Sequence, residues 1–563
     1  MKRTLTLVAL LACATPLLLA QTPANLYGRS ATGTHGVVAA AKPDASQVGV
    51  NILKAGGNAV DAAIATGFAL GVLEPNATGI GGGGFMIVRL ANMKEAVVID
   101  FREIAPKAST PDMYKFDEKG NVIGNATNVG GLASGTPGEV AGLLYAFEHY
   151  GSGKISRAQM LQPAIDWATK GYKCTANMSS YIKDHFDTIK KFPACAAIYL
   201  NKDGLPIEPG EIIKNPDLAR TLKLVAQKGR AAIYTGDIAK EIAAEVQKEG
   251  GLITVEDLAN YKIEVRKPVM GTYRGYTIMS VPPASSGGTH LVELLNILEN
   301  YDMKAIGFGT PAHAHLWSES LKLVFADRAK YMADTAFVKV PLAGLTSKPY
   351  AKMLSTKISM DKSMASVTAG DPSKYESGST TSFSVMDSKG NMVAVTKTIN
   401  DFFGSGVLIP GRGFIMNNEM DDFVARPGSA NSVQAGKRPL SSISPTLVLD
   451  PQGRSFLTVG SPGGPRIWPT VAQIISNVID YGMPLQDAID APRYFQMASG
   501  NLNVEGRVSL NTFNKLGPLG HTMTTRDDWD LDFGGAQAVM FDSKTKTLVG
   551  AADPRRDGQA AGF

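Results

Sequence analysis

Gly378-Ser379-Thr380-Thr381-Ser382-Phe383-Ser384-Val385-Met386-Asp387, followed by Met392 to Ile399 and then Asn400, is the stretch on which the fold turns. The run Thr381 to Met386, the turn Asp387-Ser388-Lys389-Gly390-Asn391 and the run Met392 to Ile399 predict a β-hairpin. A polar, Ser-rich and Gly-broken linker, residues 361–379, leads into it. Thr and Ser are ordinary strand residues, so the pair Thr380-Thr381 by itself requires no chemistry. Its place at the head of the hairpin suggests one. A threonine inside an intact chain has no base beside its hydroxyl, whereas a threonine made into a chain N-terminus carries an α-amine that can take the hydroxyl proton. Cleavage between Ser379 and Thr380 would create a nucleophile together with its base.

The 563 residues are long for a single core and suggest two or more domains or one large α/β body. Hydrophobic content of 44% and charged content of 19% are those of a folded chain with no disordered composition. The net charge of +5 is spread without blocks of like sign, which argues against a nucleic-acid partner, since phosphate binding needs a concentrated basic face.

Lys2-Arg3 followed by the apolar stretch Leu5 to Leu19 and by Ala20-Gln21 reads as a signal peptide over residues 1–20, so the protein is expected to be exported, periplasmic or secreted. The stretch is too short and broken for a stable membrane span. Leu10-Leu11-Ala12-Cys13 also resembles a lipoprotein cleavage site, but the apolar run continues to Leu19, which favours soluble export. Cys174 and Cys195 are the cysteines left after such cleavage, and in an oxidising compartment they can form a disulfide or stay as buried thiols.

Helical pattern runs from Asp44 to Pro75, broken at Gly56-Gly57-Asn58, and its Ala-rich second half, Ala59 to Glu74, is expected to lie buried against a sheet. Gly79-Ile80-Gly81-Gly82-Gly83-Gly84-Phe85 follows a helix and precedes a strand, the reverse of a dinucleotide loop, and lacks Gly-Lys-Ser/Thr; close packing of backbone is its expected use. Ala96 to Phe101 reads as a strand delivering Arg102-Glu103, and residues 135–260 are mostly helical. Thr277 to Val281 leads through Ser285-Ser286 into a helix with Leu291, Leu294, Leu295 and Leu298 on one face. That strand, serine turn and helix imitate a hydrolase nucleophile elbow without its Gly-x-Ser-x-Gly frame. His313 and His315 are expected on a helix surface rather than at a metal.

Four further clusters accompany the hairpin: Asp100-Phe101-Arg102-Glu103; Asn417-Asn418-Glu419-Met420-Asp421-Asp422-Phe423; Arg438-Pro439-Leu440-Ser441-Ser442-Ile443-Ser444-Pro445; and Gly460-Ser461-Pro462-Gly463-Gly464. Each alone reads as an ion pair, a turn or a cap. Together and in this order around Thr380-Thr381 they resemble the γ-glutamyltransferase (γ-glutamyl transpeptidase) family from about His35 to Ala552-Asp553-Pro554-Arg555. The resemblance implies an α+β N-terminal-nucleophile hydrolase fold, a four-layer αββα sandwich. One precursor would be cut into a large fragment, residues 21–379, and a small one, residues 380–563, that stay associated. It implies Thr380 as nucleophile, with Thr398 orienting and activating its hydroxyl. Arg102, Ser441 and Ser442 would hold the α-carboxylate of a γ-glutamyl group, Asn400, Glu419 and Asp422 its α-ammonium, and Gly463 and Gly464 would supply oxyanion-hole amides. No metal or organic cofactor is implied, and EDTA should leave activity intact. The implied substrates are glutathione, γ-glutamyl peptides and amino-acid acceptors.

The residue types suit that chemistry independently. A γ-glutamyl group is a zwitterion on a short arm, so its site needs a cation with hydroxyls in one place and carboxylates in another. Attack on the γ-carbonyl builds charge on oxygen, which two glycine amides ahead of a helix can meet. Two departures from the family stand out. Position 382 is Ser where many members have His, and Val424 to Lys437 is shorter than the loop that covers the substrate in lid-bearing members. The second predicts an open pocket and an enzyme leaning towards hydrolysis. Cephalosporin (glutaryl) acylases and poly-γ-glutamate depolymerases are rival readings on the same scaffold; a serine hydrolase using Ser285 or Ser286, and a processed but inactive binding protein, are rivals from other classes.

Overall fold

The hairpin forms as its alternation requires. In the computed structural model, which describes residues 28–365, 367 and 380–563, strands Thr381–Asp387 and Met392–Thr398 pair antiparallel with Thr381 opposite Lys397. They occupy the middle of a seven-stranded sheet in the order 559–562, 36–40, 381–387, 392–398, 83–89, 97–100, 264–266. A second seven-stranded sheet, in the order 31–33, 547–552, 537–542, 455–460, 446–449, 276–280, 269–273, faces it. Val37, Phe85 and Met392 of the first sheet meet Met279, Leu447 and Val539 of the second in one buried layer. All seven residues of each hairpin strand are buried, because one face packs on that layer and the other on helices.

Helices close both outer faces, completing the four-layer αββα sandwich. Over the first sheet lie Pro43–Lys54, Ala59–Leu73 and Glu139–Tyr150. Ala59–Leu73 starts with a capping box, in which Asn58 accepts from the Asp61 amide and Asp61 accepts from the Asn58 amide, and Pro75 lies just beyond its end. Its alanines and glycines let it approach closely: a Cβ on Gly67 would lie 3.3 Å from Phe383 Cζ. Over the second sheet lie Gly287–Leu298 and Ile467–Ile479, with the long helix Pro311–Tyr331 against the former. Gly287–Leu298 is buried on every side, not on the leucine face alone, because sheet and helices enclose it.

The glycine run does what its position predicts. A Cβ on Gly81 would fall 2.1 Å from the Ile415 carbonyl, and one on Gly82 2.0 Å from the Thr398 carbonyl. The strand at 83–89 can therefore sit against both the hairpin and the segment before Asn417. Cys174 and Cys195 are buried free thiols, with no disulfide joining them. The reading of residues 1–20 as a signal peptide, including Cys13, lies outside the described residues, as do Ser379 and most of the 361–379 linker. No helix among the described residues is long and apolar enough to cross a membrane.

Candidate active site

One step beyond the paired register of the hairpin, Thr380 stands across from Thr398, and its hydroxyl donates to Thr398 Oγ1 at 3.4 Å. Thr398 Oγ1 also accepts the Asn400 amide at 2.7 Å, a contact that depends on Asn400 taking a left-handed backbone, φ 71°. The Thr380 carbonyl accepts from Arg556 at 3.0 Å, which fixes the nucleophile candidate from its other end. Thr380 is buried, 4% exposed.

Arg102 comes from just past the strand at 97–100. Asp100 accepts the Arg102 amide at 3.0 Å, and the Tyr261 hydroxyl donates to the Arg102 carbonyl at 2.9 Å. The guanidinium is fully buried and ion-paired with both Glu419 and Asp422. Those two carboxylates project from a short 3-10 turn that Asn417 staples in place. Asn417 accepts the Glu419 amide at 3.0 Å and donates to the carbonyls of Gly81 and Gly135 at 2.7 and 2.8 Å. Asn431 donates to the Asp422 carbonyl at 2.6 Å and accepts the Leu440 amide at 3.1 Å, which ties the carboxylate turn to the serine segment. Glu103 lies 3.7 Å from the Arg102 guanidinium, yet burial pushes its carboxyl up to about 8, against the downward pull of Arg102. Burial thus favours its neutral form, and the close ion pairs of Arg102 are those with Glu419 and Asp422.

Ser441 and Ser442 follow on a segment pinned to the serine turn: the Ser441 amide donates to the Ala284 carbonyl at 2.9 Å, and the Ser286 amide to the Ser441 carbonyl at 2.8 Å. Arg328 donates to Ser442 Oγ at 3.1 Å. Gly463 and Gly464 both hold positive φ, 126° and 54°, immediately before the helix Ile467–Ile479. Thr380, Thr398, Arg102, Asn400, Glu419, Asp422, Ser441, Ser442 and Gly464 line one cavity of about 20 Å³, and Gly463 is not among the lining residues. Two larger clefts, about 710 and 620 Å³, share none of these residues.

Sequence reasoning missed Arg328, Arg556 and Asn431. Asn417 was inside a motif already singled out, but its role as a staple needed the fold. The serine turn has a different use from the elbow it imitates. Ser285 donates to the Ile443 carbonyl at 2.6 Å and Ser286 to the Ser441 carbonyl at 2.8 Å, so both hydroxyl protons are engaged by carbonyls and, among the described residues, no base is hydrogen-bonded to either. His313 and His315 are not on a surface: both are buried. His315 gathers with Glu319 and His521, and these groups are already partnered. His315 Nε2 donates to the Ser359 carbonyl and its Nδ1 shares a hydrogen bond with His521 Nε2, each at 2.7 Å, while Glu319 receives the Lys322 ammonium at 2.8 Å.

Against known proteins, residues 45–563 match the family model described as Gamma-glutamyltranspeptidase. A glutathione hydrolase proenzyme of Escherichia coli strain K12 is 42% identical, over 94% of this chain and 92% of that protein. An Acylase ACY 1 proenzyme of Pseudomonas sp. strain V22 is 41% identical, over 94% of each chain. The crystal structure of a cephalosporin acylase from Bacillus halodurans superposes with a TM-score of 0.85 at 29% identity, covering 95% of this chain and 97% of the other.

Proposed function

This chain belongs to the γ-glutamyltranspeptidase family, enzymes that cleave γ-glutamyl amide bonds, and on that premise we propose that Thr380 is its nucleophile, released as a chain N-terminus by cleavage after Ser379. The observation that carries the reading is the meeting of the Thr380 and Thr398 hydroxyls in one buried cavity with Arg102, Ser441 and Ser442 and with Asn400, Glu419 and Asp422. Those two sets match the two charges of an amino-acid head group. Arg102 is paired with Glu419 and Asp422 across the cavity, so a zwitterionic donor binds by partner exchange. Its α-carboxylate takes Arg102 and the serine hydroxyls, and its α-ammonium takes the carboxylates. Each buried charge keeps a partner throughout, which avoids the desolvation cost of an unpaired ion.

In the reaction the freed α-amine of Thr380 takes the proton of its own hydroxyl, while Thr398 holds that oxygen in line. Oγ1 attacks the γ-carbonyl, and the amides of Gly463 and Gly464 meet the oxyanion; losing one such donor typically costs ~100- to 1,000-fold in rate. The leaving amine departs with the proton, and the γ-glutamyl group remains on Thr380 as an ester. Water then gives hydrolysis, and an amino acid or peptide amine gives transfer. Glutathione and other γ-glutamyl compounds fit as donors. Residues 21–379 and 380–563 are the two fragments, and residues 1–20 are the export signal.

Purified protein should run as two pieces, the smaller beginning at Thr380 by mass spectrometry, and Thr380→Ala should stay as one inactive piece. The acylase relatives make a glutaryl donor the second reading, but Glu419 and Asp422 serve an α-ammonium that a glutaryl group lacks. γ-L-Glutamyl-p-nitroanilide should therefore be turned over in preference to glutaryl-p-nitroanilide. Preference for the glutaryl compound, or an uncut protein with full activity, would overturn the proposal.

A further inference from the structure

Arg328 stands in the last turn of the helix Pro311–Tyr331, is 3% exposed, and lines the same cavity as Thr380. Its Nε donates to Ser286 Oγ at 2.9 Å and its Nη2 to Ser442 Oγ at 3.1 Å. A guanidinium has donors only, so both hydroxyl oxygens are acceptors in these contacts and both hydroxyl protons must go elsewhere. Ser286 sends its proton to the Ser441 carbonyl at 2.8 Å. Ser442 also lines the cavity, so its remaining O–H is left to donate into it.

The same arginine fixes the relative position of two chain segments. Residues 284–286 and 441–443 are laced by the Ser441 amide on the Ala284 carbonyl, the Ser286 amide on the Ser441 carbonyl and the Ser285 hydroxyl on the Ile443 carbonyl. Arg328 bridges one hydroxyl from each segment with two donors held in one rigid planar fork, whereas the donors of an ammonium rotate on a flexible stem.

We propose that Arg328 is a positioning residue for donor recognition: by occupying the acceptor side of Ser442 it turns that hydroxyl into an obligate donor to the α-carboxylate of the substrate. This rests on the reading of Ser441 and Ser442 as the carboxylate-binding pair. The prediction is selective. A donor with its α-carboxylate should depend on Arg328, and one whose α-carboxylate is replaced by the amide, which offers no full charge to that O–H, should depend on it little.

The test compares Arg328→Gln and Arg328→Lys with the wild type, each first checked for maturation into two fragments, on γ-L-glutamyl-p-nitroanilide and on the same anilide carrying an α-carboxamide. For Arg328→Gln, KM for the carboxylate donor should rise on the order of tenfold with kcat changed by less than about threefold, and kcat/KM for the carboxamide donor should stay within about twofold, since a hydrogen bond to a charged group is at stake. Arg328→Lys should fall between. Equal losses on both donors, a fall in kcat alone, or failure of both variants to mature would overturn the proposal and leave Arg328 as a folding residue. A wild-type enzyme inactive on the carboxylate donor would instead overturn the proposed function itself, so the two failures are distinguishable.

Discussion

Thr398 accepts from both the Asn400 amide and the Thr380 hydroxyl, so its oxygen fixes where the proposed nucleophile points. Thr398→Ala should leave Thr380 to rotate and lower kcat by about 100-fold with a smaller change in KM, because misplacement of a reacting atom by about 1 Å costs on that scale. Thr398→Ser should restore most of the rate; steady-state kinetics on γ-L-glutamyl-p-nitroanilide checks both. Glu103 gives a pH prediction. Its carboxyl sits at about 8 in the fold against an ordinary value of 4.5. The proton it holds therefore favours the fold fully below pH 4.5, and that contribution is lost as pH rises through about 8. Glu103→Gln should flatten the fall in denaturation midpoint between these pH values; an unchanged slope would show that Glu103 does not titrate there. The nine lining residues named from sequence were legible because they lie in runs whose residue types are rare in combination. Arg328 and Arg556 were not, since a lone arginine in a helix or near a terminus carries no local pattern, and only packing shows whose oxygen it faces.

Between residue and molecule, the glycine run sets how closely the chain packs on the Thr398 carbonyl, and the segment Val424 to Lys437 ties the carboxylate turn to the serine segment through Asn431. Gly82 has no room for a methyl group beside the Thr398 carbonyl, so Gly82→Ala must push the strand at 392–398 away. Overpacking of this kind costs about 1–3 kcal/mol. Gly82→Ala should therefore show both a lower denaturant midpoint and a kcat reduced through Thr398. Loss of stability with an unaffected kcat would mean that the strand end adjusts independently. The segment 424–437 folds on itself: Lys437 donates to the carbonyls of Ala430 and Ser432 at 2.7 and 3.0 Å, and Phe423, Ala425 and Val433 pack with Ala105 and Tyr114. A segment engaged in this way is poorly placed to act as a cover, so water should compete well for the acyl ester. Glutamate release should exceed acceptor product at saturating dipeptide, and dominant transfer would contradict this. Hairpin, glycine run and Ala-rich helix were readable because periodicity and chain breaks specify them locally. The burial of Gly287–Leu298 and of His313 and His315 was not, because it arises from a neighbouring helix that the local pattern does not encode.

At the scale of the whole molecule, the proposed cut at Ser379 divides both sheets between the two fragments. In the first sheet the central strands at 381–387 and 392–398 lie between strands 36–40 and 83–89 of the large fragment. In the second, four consecutive strands of the small fragment, from 547–552 to 446–449, are flanked by strands 31–33 and 276–280 of the large one. Separation would expose unpaired strand edges in both sheets and open the buried layer in which Phe85 and Val37 meet Val539 and Leu447. The ion pair of Lys42 with Asp557 and the contact of Arg29 with the Arg556 carbonyl cross the same divide. The cut should therefore leave one cooperative unit: the two fragments should co-elute in size exclusion without denaturant and unfold in a single transition seen alike by fluorescence and circular dichroism. Fragments expressed separately should fail to fold, because neither contains a complete seven-stranded sheet. Two resolved transitions, or a small fragment that folds alone, would show that the cleaved halves are independent domains, and the fixed alignment of Thr380 with Arg102 from the other fragment would then need another cause.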